Sequence, residues 1–281
     1  MPHIDPAHAL ARATDLVARA SSLLVVAGAG MGVDSGLPDF RGREGLWRAY
    51  PALGRRRMDF TDIASPQAFH EDAALAWGFY GHRLARYRET APHAGFGLLR
   101  AWGRGLPQGV AAFTSNVDGQ FQRAGFDDVP LTECHGSLHH LQCLLPCSDA
   151  IWSADDFVPV IDPQTGLLTS APPRCPRCGA LARPNVLMFG DYDWLGTRTD
   201  AQFDALEPWL GAARELVVIE IGAGTAVATA RAFTQRVARA CGAAVIRINR
   251  DDAGISGDAR HVPLKMSALA ALRGIEALRA A

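Results

Sequence analysis

The chain has 281 residues, enough for one large domain or a large domain carrying a smaller insert. Its composition, 48% apolar and 20% charged, is that of a soluble globular protein. A formal net charge of −1 gives no global pull toward nucleic acid or an anionic membrane, and no apolar run is long enough to cross a bilayer.

The first segment, MPHIDPAHALARATDLVARA, carries acidic residues and lacks a compact apolar core, so it reads as neither a signal peptide nor a transit peptide. The spacing of Leu10, Leu16 and Val17 predicts an opening amphipathic helix instead. A cytoplasmic location follows as the default expectation. Arg55, Arg56 and Arg57 form a short basic cluster of the kind usually found on a solvated face, and no specific nucleic-acid partner is expected.

Apolar, strand-length runs then recur: SLLVVAG at 22–28, GVAAFTS at 109–115, LVVIEIG at 216–222 and AAVIRIN at 243–249. Their continuous apolar character predicts parallel strands covered on both faces. Helical patterns lie between them, at 73–89 and 226–241, and an Ala-rich helical segment follows His261. Strands alternating with helices predict an α/β fold, a Rossmann-like parallel sheet. The stretch from Leu141 to about Asn185 breaks this rhythm with Pro, Cys, Gly and Ser. It is expected to form a small inserted module (about 141–185) within a large domain made of about 1–140 and 186–281.

Three groups of residues carry chemistry. The loop GAGMG after the first strand places Gly28, Gly30 and Gly32 where backbone N–H groups can meet a pyrophosphate at a helix start. Val33 stands where a full G-x-G-x-x-G would have its third glycine, so a tight turn without ligand explains the loop as well. Cys143 and Cys147 (C-x3-C) with Cys175 and Cys178 (C-x2-C) can converge on a tetrahedral zinc. Four thiolates leave no open position for substrate, so such a zinc is structural. Cys134 and Cys241 are read as small core residues. Finally, Asn116 and Asp118 lie just beyond a strand's C-terminal end, where open α/β sheets bind ligands, and His135 follows in a glycine-flanked loop. These three suit either sugar and amide recognition with a general base, or helix capping with a locally packed imidazole.

Taken in order, GAGMGVDSGLPDFRG, TSNVDGQFQRAG, CHGS, the paired cysteines, RPNVLMFGD, VIEIGAGTAV and RIN resemble the motifs of the sirtuins over roughly residues 20 to 250. The resemblance implies an NAD-dependent protein-lysine deacylase. Gly28, Ala29 and Gly30 would hold the pyrophosphate, and Asp39, Phe40 and Arg41 would border the nicotinamide. Ser115, Asn116 and Asp118 would face the nicotinamide ribose and carboxamide, and Gly222, Ala223, Gly224 and Asn249 the adenosine half. The acyl carbonyl of a modified lysine would attack C1′ as nicotinamide leaves, and His135 would act as base on a ribose hydroxyl. The implied products are free lysine, nicotinamide and O-acyl-ADP-ribose. Val186, Phe189 and Gly190 would lay the substrate peptide down as an added strand.

Several positions depart from the family pattern. Ser115 stands for a usual Gln, Phe121 for His, Gly32 for Ser, Asp191 for Glu, and GAGT for Gly-Thr-Ser. The Ser115 change keeps protein mono-ADP-ribosyl transfer and plain NAD hydrolysis open as other uses of the same C1′, and a non-catalytic NAD sensor is a further alternative. Tyr80 and Arg83, one helical step apart, resemble the pair that reads succinyl or malonyl carboxylates in some sirtuins, although a surface Arg beside a packed Tyr has the same spacing.

Overall fold

The computed structural model describes residues 5–38, 42–255 and 257–280, with the side chains of 42–44 left aside. The opening helix α1 (Pro6–Arg19) is capped by Asp5 and buries Ala9, Ala13 and Val17. Strand β1 (Ser22–Ala27) follows and is buried along its whole length. The chain then leaves through short 3-10 turns into four short helices: α2 (Gly42–Ala49), α3 (Pro51–Arg55), α4 (Phe60–Ile63) and α5 (Pro66–Glu71). The long helix α6 (Ala73–Glu89) and α7 (Ala94–Arg104) lead to β2 (Val110–Thr114), α8 (Gln120–Arg123), β3 (Leu131–Glu133) and β4 (Gly136–Cys143). After β5 (Ile151–Ser153) and β6 (Ala182–Val186) come α9 (Thr197–Ala212), β7 (Leu216–Ile221), α10 (Thr229–Cys241), β8 (Ala244–Ile248), β9 (Val262–Leu264) and α11 (Ala268–Arg279).

Six strands form one parallel sheet in the order β3-β2-β1-β7-β8-β9. The four expected apolar runs are its four central strands. Alternate residues explain why the runs are almost wholly apolar, the charged exceptions being Glu220 of β7 and Arg247 of β8, which are buried and pair with each other across the sheet at 2.5 Å. Leu23, Val25 and Ala27 face α1, α7 and α11, whereas Leu24 and Val26 face Leu206 of α9 and Ala230, Phe233 and Val237 of α10. Strand order runs outward in both directions from β1 and β7. The switch point of the sheet therefore lies between them, and the crevice beyond their C-terminal ends is the place such sheets bind ligands.

A second sheet is antiparallel, in the order β5-β4-β6. It takes in residues on either side of the 141–185 stretch, since β4 begins at Gly136, which pairs with Val186. Helix α6 covers this sheet and not the parallel one. Its Trp77, Phe79, Tyr80, Leu84 and Tyr87 share one core with Leu138, Leu141, Phe157, Val186 and Met188. Apolar residues lie around most of its circumference, which is why its spacing alone did not reveal its partner. No described helix is long and apolar enough to cross a membrane.

Candidate active site

The switch point is built from two loops in direct backbone contact. Gly28 N–H donates to Ile221 O at 2.9 Å, and Gly30 N–H to Gly222 O at 3.0 Å. A Cβ on Gly30 would sit 2.7 Å from Gly222 Cα, and one on Gly222, whose φ is +63°, would sit 2.4 Å from Gly30. Only glycine allows this approach. The Ala29 N–H, at the start of a 3-10 turn, has no protein partner among the described residues. It is thus a free donor at the mouth of the crevice, where a pyrophosphate would lie. Gly224 is exposed just beyond, and Ala223 is buried beneath it.

Asn249 closes the far end. Its Nδ2 donates to Ala223 O at 3.0 Å, and its Oδ1 accepts from the N–H groups of Asp251 and Asp252 at 3.0 and 3.2 Å. Arg231 of α10 ties the same loops together, donating to Ala223 O at 3.0 Å and pairing with Asp252 at 2.9 Å.

The β2 edge supplies the next residues. Ser115 N–H donates to Ala27 O at 3.0 Å, and Ser115 Oγ also turns toward that carbonyl, at 3.4 Å. Asn116 Nδ2 donates to Gly28 O at 3.0 Å, so this side chain bridges β2 to the glycine loop. Asp118 is 7% exposed, and its Oδ1 accepts from Gln120 N–H at 2.9 Å. Burial raises its pKa to about 6 against the pull of that N–H, with Glu133 adding to the rise and the Arg83 guanidinium opposing it. The N-cap of α8 is Gly119, with no side-chain cap, so Asp118 only closes a local turn onto Gln120 N–H, and it is a buried carboxyl with a perturbed pKa in the crevice.

His135 lies in the two-residue link between β3 and β4, and hence between the two sheets. Its Nδ1 is 3.2 Å from Ser115 O and its Nε2 is 3.3 Å from Thr229 Oγ1. A carbonyl can only accept, so Nδ1 carries the proton and Nε2 keeps its lone pair. Burial lowers the ring's pKa, and the Ser115 carbonyl partly offsets this, so the imidazole is neutral at pH 7. The link is anchored from α9. Arg198 pairs with the buried Glu133 at 2.5 Å, and Thr199 Oγ1 donates to Glu133 O at 3.0 Å. A neutral imidazole with a fixed tautomer and an available Nε2 can serve as a general base.

Val186 is buried at the end of β6, and the next residue donates from its N–H to His135 O at 3.0 Å. Phe189, 42% exposed, hydrogen-bonds through its N–H to Ala64 O, and Gly190 turns the chain with φ +65°. This turn is held from below by the fully buried Arg183–Asp191 pair at 2.6 and 2.9 Å. Asp191 also accepts from the Met188 and Asp193 N–H groups.

Tyr80 and Arg83 lie in the α6 core. Tyr80 stacks on Phe69 and is 1% exposed. The Arg83 guanidinium, 9% exposed, lies over the Phe79, Tyr80 and Tyr87 rings and donates twice to Tyr87 Oη, at 3.0 and 2.7 Å. Sequence reasoning paired Arg83 with Tyr80 alone; the i, i+4 spacing to Tyr87 was the signal for the closer partner. Asp39, Phe40 and Arg41 lie outside the described residues.

The sulfurs of Cys143, Cys147, Cys175 and Cys178 all lie within 4.8 Å of one another, with Cys143–Cys178 at 3.7 Å and Cys147–Cys175 at 3.6 Å. A tetrahedral zinc with Zn–S of about 2.3 Å sets its sulfurs about 3.8 Å apart. The cluster therefore fits structural zinc. All six cysteines are free of disulfides, with Cys134 buried and Cys241 exposed.

An open parallel sheet whose switch point is walled by two touching glycine loops defines a dinucleotide-binding α/β protein, here with a metal-braced second sheet. A family model described as the Sir2 family matches residues 28–227. Among curated relatives, an NAD-dependent protein deacylase of Aeropyrum pernix is 33% identical over 257 residues, 90% of this chain and 91% of that one. An NAD-dependent protein deacylase of Methylococcus capsulatus is 33% identical over 245 residues, 86% of each chain. A solved Sir2 homologue in complex with NAD has a TM-score of 0.72 at 25% identity, covering 99% of this chain and 95% of that one. The chain belongs to the Sir2 family, the sirtuins.

Proposed function

We propose that the protein is an NAD-dependent protein-lysine deacylase with a preference for short acidic acyl groups. The observation that carries this reading is His135: a neutral, tautomer-fixed imidazole whose Nδ1 is held by Ser115 O at the end of β2 and whose Nε2 lies 3.3 Å from Thr229 Oγ1. The family membership and the deacylase names of its relatives support it.

NAD, when bound, supplies an electrophilic anomeric carbon with nicotinamide as the leaving group. The glycine pair Gly28 and Gly30, with the Ala29 N–H, holds the pyrophosphate, and Gly222, Ala223, Gly224 and Asn249 hold the adenosine half. Asn116 and Asp118 orient the nicotinamide end, together with Asp39, Phe40 and Arg41 and the backbone of Ser115. His135 takes the proton from a ribose hydroxyl at Nε2, and its Nδ1–H stays on the Ser115 carbonyl while the ring is charged. Val186, Phe189 and Gly190 present the edge on which an acyl-lysine peptide lies as an added strand, reading backbone more than side chains. Arg83, held in place by Tyr87, offers a planar fork to an acyl carboxylate, with Tyr80 beside it. The four cysteines hold zinc as a brace for the small module, which we place at about 141–185, and the protein acts in the cytoplasm.

One assay tests the reading. The protein is incubated with NAD and acetyl-, malonyl-, succinyl- and longer-acyl-lysine peptides, and products are read by mass spectrometry. Free lysine with the matching O-acyl-ADP-ribose, lost in His135→Ala, is the expected result. Nicotinamide release without acyl loss would replace it with ADP-ribosyl transfer or NAD hydrolysis.

A further inference from the structure

Thr229 is the first residue of α10, and its hydroxyl does not serve the helix. The N-cap is Ala228, and no side chain caps the helix start. A threonine at a helix start ordinarily spends its oxygen on the free N–H groups of the first turn. Here Thr229 Oγ1 instead approaches His135 Nε2 at 3.3 Å, across 94 residues of sequence. The contact engages the nitrogen that the proposed chemistry uses, since Nδ1 is already committed to Ser115 O.

The position of Thr229 is itself fixed. Two residues on, Arg231 binds Ala223 O, Asp252 Oδ2 and Asp252 O, at 3.0, 2.9 and 2.7 Å. The first turn of α10 is therefore pinned to the Ala223 loop and to the Asp252 loop after β8, and the hydroxyl is held at a set distance from the ring. Thr229 is exposed to solvent, whereas His135 is half-buried. A hydroxyl can donate to a neutral Nε2 and accept from a protonated one. It therefore fits both states through which the base passes.

The geometry points to Thr229 as a positioning residue for the general base, one that keeps His135 Nε2 turned into the crevice and accepts its N–H after proton transfer. This role rests on the deacylase reading above. In the step concerned, a ribose O–H bond breaks and an Nε2–H bond forms. The oxygen's electron pair bonds to the acyl carbon as that carbon's π pair shifts onto the lysine nitrogen, and the new N–H donates to Thr229 Oγ1. At 3.3 Å the resting contact is long, so an arriving ribose hydroxyl displaces or shares it without a large loss.

The departure of nicotinamide precedes the base's work, and the two steps can be read apart. Exchange of labelled nicotinamide into NAD, in the presence of an acyl peptide, reports the first. Release of free lysine reports both. Thr229→Val keeps the shape and removes the hydroxyl, and Thr229→Ser restores it. The expected result for Thr229→Val is a loss of about fivefold or more in kcat for lysine release. Nicotinamide exchange and the KM for NAD stay near wild type, and Thr229→Ser recovers most of the loss. Equal loss in exchange and lysine release would mean a structural role and overturn the assignment, as would undiminished lysine release in Thr229→Val. If the wild-type protein supports neither reaction, the deacylase reading falls and this role falls with it. Wild-type turnover with an unaffected valine variant removes the role alone.

Discussion

Asn116 and Gly28 are joined across the mouth of the parallel sheet by a 3.0 Å hydrogen bond from a side-chain amide to a backbone carbonyl. One wall of the crevice is thus a side chain from β2's exit, and the other is the backbone contact of Gly30 with Gly222. Because the second contact is backbone on backbone, it cannot relax by a side chain moving aside. Gly30→Ala should push the two loops apart, weaken NAD binding at least about tenfold and lower the melting temperature as well. Titration of NAD by calorimetry alongside a melting curve tests this, and unchanged affinity would mean that the approach is not needed for binding.

The buried Arg83 fork gives a selectivity prediction. Arg83→Met should reduce kcat/KM for succinyl- or malonyl-lysine about 10- to 100-fold relative to acetyl-lysine, as expected on losing a charged hydrogen-bonded pair. Tyr87→Phe removes the hydroxyl to which the guanidinium donates and should blunt the same preference more mildly. Equal losses on acetyl and succinyl peptides would show that Arg83 does not read the acyl group.

Two groups in the crevice titrate in ways that set pH dependence. Burial holds His135 below the 6.5 usual for imidazole, and catalysis needs its neutral form. Lysine release should therefore be level through neutral pH and fall only as pH drops below about 6.5. Asp118 has the opposite consequence, for stability. Its folded pKa of about 6 exceeds its ordinary 3.8, so the folded state binds more protons between these values and loses stability as pH rises through them. Asp118→Asn keeps the acceptor for Gln120 N–H and removes the buried charge. It should stabilise the fold at pH 8 by about 2–3 kcal/mol and hardly at all at pH 4, while impairing turnover. Equal melting shifts at the two pH values would contradict this.

The Arg183–Asp191 pair has no exposed surface on either side chain. Asp191→Asn leaves a buried guanidinium without its counter-charge and should cost about 3–5 kcal/mol. The same carboxylate holds the Met188 and Asp193 N–H groups, so the KM for acyl peptide should rise as well. Guanidinium unfolding and peptide kinetics check the two effects separately.

Zinc removal should act locally. A chelator, or Cys175→Ser, should lower the melting temperature and expose the 144–181 stretch to limited proteolysis, with metal content falling in parallel. Resistance of that stretch to protease after metal loss would show that the sheet holds without it.

Much of this was legible in the sequence, for reasons that differ by element. The central parallel strands are buried on both faces, so their continuous apolar runs were visible. β3 and β9, three residues each, are too short to give a pattern. The cysteines announced themselves by spacing. Helix α6 had its bounds at 73–89 legible, but its partner sheet was not, since it is apolar nearly all round. The helical pattern at 226–241 ran past the true start at Thr229, which hid that residue inside a helix. Its contact with His135, like the burial of Arg183 and Asp191, depends on pairings that local periodicity does not encode.

His135 is the second residue of a two-residue bridge: β3 ends at Glu133 in the parallel sheet, and β4 begins at Gly136 in the antiparallel one. Its carbonyl is held by the peptide-side loop and its Nδ1 by the cofactor-side strand. The base is therefore gripped from both lobes at once. Any closure of one sheet upon the other must be felt at the imidazole, making it the fulcrum at which filling of the cleft and readiness to take a proton become one event.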